Sequence, residues 1–415
     1  MKEYFAKINY FVALALVVSF FSVSCNDDAD AVDPNVTPEH VLKDELTTEK
    51  TLKSGQTYEL VGGYKVKEGG NLIIEEGVTI KATRTIDGQA DYIIVEQGGK
   101  INAKGTKEKP IVMTSTKEEP GAWGGLHICG RAPINLSGGT GSSEIGDAEF
   151  GGNDPADNSG SLSYIRLEYT GFTITPEKES NGLTLYGVGN GTTVEYIQVY
   201  KGADDGIEWF GGTVNAKYLV STYSEDDSFD WTDGWVGKGQ FWVAIQDQAA
   251  PGSDGTANGD CLIEADNREN NYTLTPVSYP TLSNLTLVGN NDTNKQQRGI
   301  RLRAGTNVKL YNTLVVGKPK SVTTATAETE QSFLDGKSVI EHLWTVNDFT
   351  YEDGAELALD TKTGNGINKE IEFVDGYIGV INEGLDLSAD NFFTKTTYKG
   401  AVPAENDWTA GWTKK

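Results

Sequence analysis

The sequence predicts an all-β protein built as a parallel β-helix, and three observations lead there. Short apolar runs punctuated by Gly, Asn and Asp fill the chain, among them Asn71-Leu72-Ile73-Ile74, Tyr92-Ile93-Ile94-Val95, Pro110-Ile111-Val112-Met113 and Leu314-Val315-Val316, all too short for helices. Forty-nine glycines against two methionines, with frequent β-branched residues, suit many tight turns between strands. A fixed offset then selects the architecture: residues 202–212 (GADDGIEWFGG) align with 224–234 (SEDDSFDWTDG) at 22 residues, and 195–199 (EYIQV) with 217–221 (KYLVS) at the same spacing. A repeat of that length carrying two or three short strands is one coil of a β-solenoid. Leucine-rich repeats of similar length demand regularly spaced leucines and an asparagine, which this chain lacks.

From the N-terminus, residues 1–24 read as a lipoprotein signal peptide: Lys2 and Lys7, an apolar run from Phe11 to Phe21, then Ser22-Val23-Ser24 before Cys25. The apolar run is too short to span a bilayer. Cys25 is the predicted lipid-attachment residue, through which the mature chain would be anchored to a membrane. Residues 25–50 begin with Asn26-Asp27-Asp28-Ala29-Asp30 and show no hydrophobic period, so they are expected to form an acidic flexible tether. Residues 51–415 form the expected β-helix domain. No later run of about 18 apolar residues is present to span a membrane. Removing Lys2, Glu3 and Lys7 with the signal takes the formal charge from −25 to −26. Such a field repels phosphates and draws cations or basic partners, which excludes nucleic acid as a natural partner. Cys129 and Cys261 remain after lipidation, enough for one optional bridge and no disulfide framework.

Further copies of the coil, separated by inserted loops, are read at Ser163–Leu167, Gly182–Tyr186, Leu262–Ala265, Ser283–Leu287 and Gly299–Arg303. In a strand of such a coil the side chains alternate inward and outward, and equivalent residues of successive coils stack roughly 4.8 Å apart. Ile207, Trp209, Phe229 and Trp231 are therefore expected on the core face. Both ends of the stack need caps, because open strand edges invite pairing with other chains. The terminal Asp407-Trp408-Thr409-Ala410-Gly411-Trp412 is the expected C-terminal cap.

Several stretches together carry a family resemblance: residues 71–80 (NLIIEEGVTI), 103–115 (AKGTKEKPIVMTS), 123–135 (WGGLHICGRAPIN), 279–284 (YPTLSN) and the closing Trp-Thr-Ala-Gly-Trp. From about residue 51 to the end the chain resembles the right-handed β-helix surface lipoproteins of Bacteroidota and other Gram-negative bacteria, akin to a leptospiral outer-membrane lipoprotein. The resemblance implies a right-handed coil, lipid anchoring at the outer membrane and, for some members, company with a TonB-dependent transporter. It supplies no catalytic motif. The acids behind Cys25 likewise resemble the surface-export signal of Bacteroidota lipoproteins.

The 22-residue register makes a statement about chemistry. With Ile207 and Phe229 inward, Glu208 and Asp230 point outward and stack as a ladder, with Glu264 the next rung after an inserted loop. Asp204 stacks near Asp226, and Asp205 near Asp227. Like charges opposed on adjacent strands are destabilising, so compensation is expected from calcium, which takes oxygen ligands, from a basic ligand group, or from Arg301 and Arg303. Asp204, Asp205, Asp226, Asp227, Asp230 and Glu264 are the candidate calcium ligands. The plainer reading is that these acids cap turns and are otherwise solvated. Trp235 and Trp242 are candidates for an exposed sugar-stacking platform, with Glu208 and Asp230 as ligand-binding acids beside it.

A complete catalytic set does not emerge. Asp204-Asp205-Gly206 matches part of a polygalacturonase-like signature, but no Gly-His-Gly follows. The three histidines lie outside the repeat: His40 in the expected tether, His127 in a strand and His342 in an expected short helix. Cys129 and Cys261 read as buried small hydrophobes. The expected function is therefore a non-catalytic surface binding or accessory lipoprotein for uptake of a nutrient, with a glycan as one ligand class, beside an outer-membrane transporter. The alternatives are a surface polysaccharide lyase or glycoside hydrolase using the acids, for which paired carboxylates are the required equipment, and a structural adhesin.

Overall fold

A computed structural model describes residues 38–415 except 84–88, 176–178, 250–251, 253–254 and 256. The expected signal peptide, Cys25 and the acidic run behind it lie outside the described residues.

The strands coil into a right-handed parallel β-helix with two long walls. The first wall is a 15-stranded sheet that includes Thr79–Ala82, Ile111–Ser115, Gly160–Glu168, Thr193–Tyr200, Asn215–Thr222, Lys238–Ile245, Thr281–Val288 and Lys309–Val316. The second is an 11-stranded sheet running through Tyr92–Val95, Leu126–Cys129, Leu183–Tyr186, Ile207–Phe210, Phe229–Thr232, Ile263–Ala265, Arg298–Leu302 and Lys320–Thr324. The 22-residue offset is the register itself: Ile207 pairs with Phe229, Glu208 with Asp230 and Trp209 with Trp231, while Glu195 pairs with Lys217. Inserted loops change the spacing but not the register, so Asp230 pairs with Glu264 and Glu264 with Arg301.

The early coils carry a third short strand, as in Lys100–Lys104, followed by a turn into Ile111–Ser115. In the next coil both partners are met by one long strand, Gly160–Glu168, because a single residue, Tyr164 at φ 50°, bends the chain where the earlier coil used a loop. The same corner recurs at Tyr196, Tyr218, Phe241, Asn284 and Asn312, each at a φ between 53° and 62°. Left-handed backbone costs a non-glycine residue roughly 1–2 kcal/mol, which asparagine bears best. The outward-pointing aromatic rings recover part of that cost by stacking, with centroids 4.2 Å apart for Tyr164–Tyr196 and 4.3 Å for Tyr196–Tyr218.

Ile207, Trp209, Phe229 and Trp231 are all buried in the central apolar column, as the register predicts. Trp235 and Trp242 join them, fully buried, with Trp209 stacked against Trp235 at 4.7 Å and against Trp242 at 4.9 Å. The expected exposed platform is thus part of the core. Leu219 and Trp242 are paired rungs of the first wall, and the inward face of each rung is apolar. The indole N–H of Trp235 finds the Val214 carbonyl and that of Trp242 the Ala216 carbonyl, which satisfies these two polar edges inside the column, while that of Trp209 is buried without a partner.

Both ends differ from expectation. Strands Val41–Leu42, Glu45–Leu46 and Glu49–Leu52 already form the first coil, so residues 41–50, expected as tether, belong to the solenoid; Leu42, Leu46 and Leu52 are buried. His40 packs on Tyr58 at the start of the stack. At the far end, the helix Ala327–Leu334 and the buried Leu357 and Leu359 close the column. Trp408 and Trp412 do not cap it. They lie along the outside of the first wall with Val220, Phe241 and Val243, because that face is apolar and would otherwise meet water. His342 sits in a left-handed bend, not a helix, with its Nδ1 on the Glu383 carbonyl. Cys129 and Cys261 are both buried and free, so no bridge forms between them.

Candidate metal centre

The outer face of the second wall gathers the acids. The turn before each strand places Asp204 and Asp205 in one coil, Asp226 and Asp227 in the next, and Asp260 and Cys261 in a third. The strands themselves then present Glu208, Asp230 and Glu264 in paired register. Part of this array caps turns: Asp205 Oδ1 accepts the Asp227 N–H at 2.9 Å and Asp227 Oδ1 accepts the Cys261 N–H at 2.5 Å, each carboxylate reaching forward one coil. The expected solvation holds for Asp226, which is exposed, and fails deeper in the wall. Asp205, Asp227, Glu208 and Glu264 are nine-tenths or more buried, because inserted loops fold over the wall. Asn181, in the equivalent turn one coil earlier, donates Nδ2 to Glu208 Oε2 at 2.5 Å.

Burial and mutual repulsion act in the same direction on these groups. Loss of water raises every carboxyl first, and neighbouring carboxylates raise it further. Asp204 is pushed from 3.8 to about 8, with Glu179 and Asp226 as the principal charged neighbours. Asp226, at the open rim, moves to about 6 with Asp260 beside it. Asp205, Glu208, Asp227 and Asp230 lie well above the carboxylate range for the same reasons.

Charge compensation is uneven. Arg301 Nη1 meets Glu264 Oε1 at 2.9 Å, Arg303 also pairs with Glu264, and Arg303 Nε meets Asp266 Oδ1 at 2.8 Å, so the arginines neutralise the last rung. Behind the wall the buried Lys318 ammonium donates to the Asp260 carbonyl at 2.7 Å, and burial lowers it to about 8. Asp204, Asp205, Asp226, Asp227 and Asp230 form no ion pair among the described residues, whereas Asp233 farther along the coil is paired with Arg268. Their oxygens converge instead. Asp204, Asp205 and Asp226 can offer ligand atoms all within 4.8 Å of one another, as can Asp205, Asp227 and Asp230, and likewise Asp226, Asp227 and Asp260. Asp227, Cys261 and Glu264 form a further such group. The donor set fits a hard divalent cation, since oxygens dominate it and shared aspartates can each serve two positions. Asp230 Oδ1 is buried with no hydrogen-bond partner, an acceptor left for a cation to satisfy.

All six predicted metal ligands therefore share one wall, although Glu264 is largely engaged by arginine. Sequence reasoning missed Asp260, which is the third-coil equivalent of Asp226 and is legible once the inserted loop is allowed for. It also missed Asn181, which holds the place of Asp205 one coil earlier and is legible from the repeat at Gly182–Tyr186, and Glu144, which arrives from a loop distant in sequence with no signal of its own. His127 is buried in the strand one coil before Thr184, with Nε2 on the Gly124 carbonyl at 2.5 Å and its proton affinity lowered by burial to about 4, so it is a neutral structural imidazole.

No curated protein and no solved structure matches this chain. A family model does, over residues 44–413, which takes in the acidic wall and all of the solenoid but its first strand. The chain belongs to the family described as pectate-lyase-like β-helix domains.

Proposed function

We propose that this chain is a cell-surface lipoprotein, lipidated at Cys25 on the outer membrane, that binds a nutrient ligand for uptake beside a TonB-dependent transporter, and that its acidic wall takes calcium. The observation that carries the binding role is the wall itself: converging aspartates without a cationic partner, running from the buried Asp205 and Asp227 to the exposed Asp226, with an unsatisfied buried oxygen at Asp230. Such an array is costly unless it is protonated or binds a cation. A glycan is the leading ligand class, because hydroxyl and carboxylate oxygens complete the coordination of a calcium ion whose remaining positions face solvent.

Calcium at millimolar concentration should raise the melting temperature of the wild type, since a ligand that binds only the folded state stabilises it by mass action, by about 2.7 kcal/mol at a hundred times Kd. The shift should shrink in an Asp226→Asn/Asp227→Asn/Asp230→Asn variant. An unresponsive wild type, or a variant with an equal response, would reduce these acids to turn caps.

One observation favours a second reading, a polysaccharide lyase or glycoside hydrolase. Asp204 at about 8 and Asp226 at about 6 stand where a carboxyl group can give and take a proton near neutral pH, with Arg301 and Arg303 on the same wall. Release of shortened products from a polysaccharide would establish that reading, and binding without turnover would leave the first.

A further inference from the structure

We infer that the groove between the aromatic corner column and the C-terminal arm is a saccharide-binding site for a neutral pyranose chain. This rests on the glycan reading above and places the sugar on the opposite flank from the acidic wall. The groove encloses about 390 Å³, within the range of small-ligand sites. One side is the stacked column of Tyr164, Tyr196, Tyr218 and Phe241; the other is the returning arm, with Trp408 and Thr394.

The corner geometry alone does not call for aromatic residues. The next two coils use Asn284 and Asn312 at the same bend, and there the amides are spent on holding the arm, through the Tyr398 and Leu385 carbonyls, each at 2.8 Å. Where the groove opens, the bends carry tyrosine at greater backbone cost, and the three tyrosines are only half-buried. Unusual backbone conformations concentrate at functional sites.

The chemistry of the lining suits a sugar. The rings of Tyr164, Tyr196 and Tyr218 stack in parallel, which sets their hydroxyls in a row beside Thr394 at the groove. That row offers hydroxyls at coil spacing, able both to donate to and accept from ring hydroxyls. Trp408 stands edge-on to Tyr218 at 5.2 Å, and its own N–H is already taken by the Ala401 carbonyl at 2.8 Å. Trp408 is buried in the seam, so it fixes one side of the groove and leaves the half-buried tyrosines as the surface that a pyranose meets. Lys107 and Lys395 lie at the groove, while Glu108 and Glu195 act on Tyr164 and Glu405 on Tyr398. These charges offset, which favours a neutral ligand over a polyuronate.

The test is calorimetric titration of the wild type with neutral cello-, xylo-, manno- and malto-hexaose and with an oligogalacturonate, each in EDTA and in calcium. At least one neutral hexasaccharide should bind equally in both buffers. A Tyr196→Phe/Tyr218→Phe variant, which keeps the stacked rings and removes two hydroxyls, should melt like wild type yet bind about tenfold more weakly. Equal binding by that variant would overturn the groove. Binding that requires calcium, or that is confined to the oligogalacturonate, would also overturn it and leave the glycan reading standing on the acidic wall. Absence of binding to every oligosaccharide would overturn both.

Discussion

Asp204 and its neighbours couple the wall to pH. An unfolded chain releases the Asp204 proton near 3.8, whereas the folded chain holds it to about 8, so folding takes up protons between those values and stability falls as pH rises through the window. His127 works in the opposite sense. Its folded value of about 4 against an ordinary 6.5 makes stability rise with pH, but only up to about 6.5. Lys318, lowered from 10.5 to about 8, acts only above 8. The interval from pH 6.5 to 8 therefore isolates the carboxyls. In EDTA the melting temperature should fall across it, with Asp226 contributing little because its own window, from 3.8 to about 6, closes below this interval. Calcium should flatten the fall by replacing the proton. A melting temperature that is level or rising in EDTA would show that these acids ionise freely. At this scale the sequence located the acids but not their state, because the loops that bury them come from remote segments.

The coil is the element that the sequence states most clearly. Two stretches repeating at one offset fix which side chains meet, and a strand that alternates every second residue cannot slip by one without turning its apolar set outward. Ile207 and Phe229 occupy equivalent core sites, both fully buried. Changing either to Asp should cost roughly 3 kcal/mol or more by placing an unpaired carboxyl in a packed column, read as a lower denaturation midpoint in urea. Near-wild-type unfolding would contradict the register. Trp235 and Trp242 show the limit of this legibility. Trp235 stands past the aligned strand and Trp242 follows a left-handed bend at Phe241, so neither could be assigned a face by counting from Ile207. The bend resets the alternation, and a single sequence does not announce it.

The whole molecule is a stiff rod with two dissimilar flanks, one acidic and roofed by loops, the other aromatic and covered in part by the returning arm. Trp412 shows how that arm is held: it is buried edge-on to Tyr164, and the Arg166 guanidinium donates to its carbonyl at 3.2 Å. No helix among the described residues is long and apolar enough to cross a membrane. The proposed attachment at a membrane through Cys25 predicts that Cys25→Ala, which removes the thiol that a lipid would modify, moves the protein from the membrane fraction to the soluble fraction or leaves it as uncleaved precursor. Immunoblots of fractionated cells check this, and a variant still labelled by radioactive fatty acid would refute the anchor.

By itself the sequence determined the β-helix class, its register, the core residues of the repeated coils and the alignment of the acids, because all of these follow from short-range alternation multiplied by a constant period. Only the tertiary structure decided what each flank meets. Asp205, Asp227 and Glu208 became buried and the C-terminal tryptophans became a lateral seam because other segments of the chain fold onto the walls. Trp235 and Trp242 became core because one-residue bends reassign which way a strand faces. Those outcomes depend on where loops land and how the coil turns its corners, and neither is written in the period of the repeat.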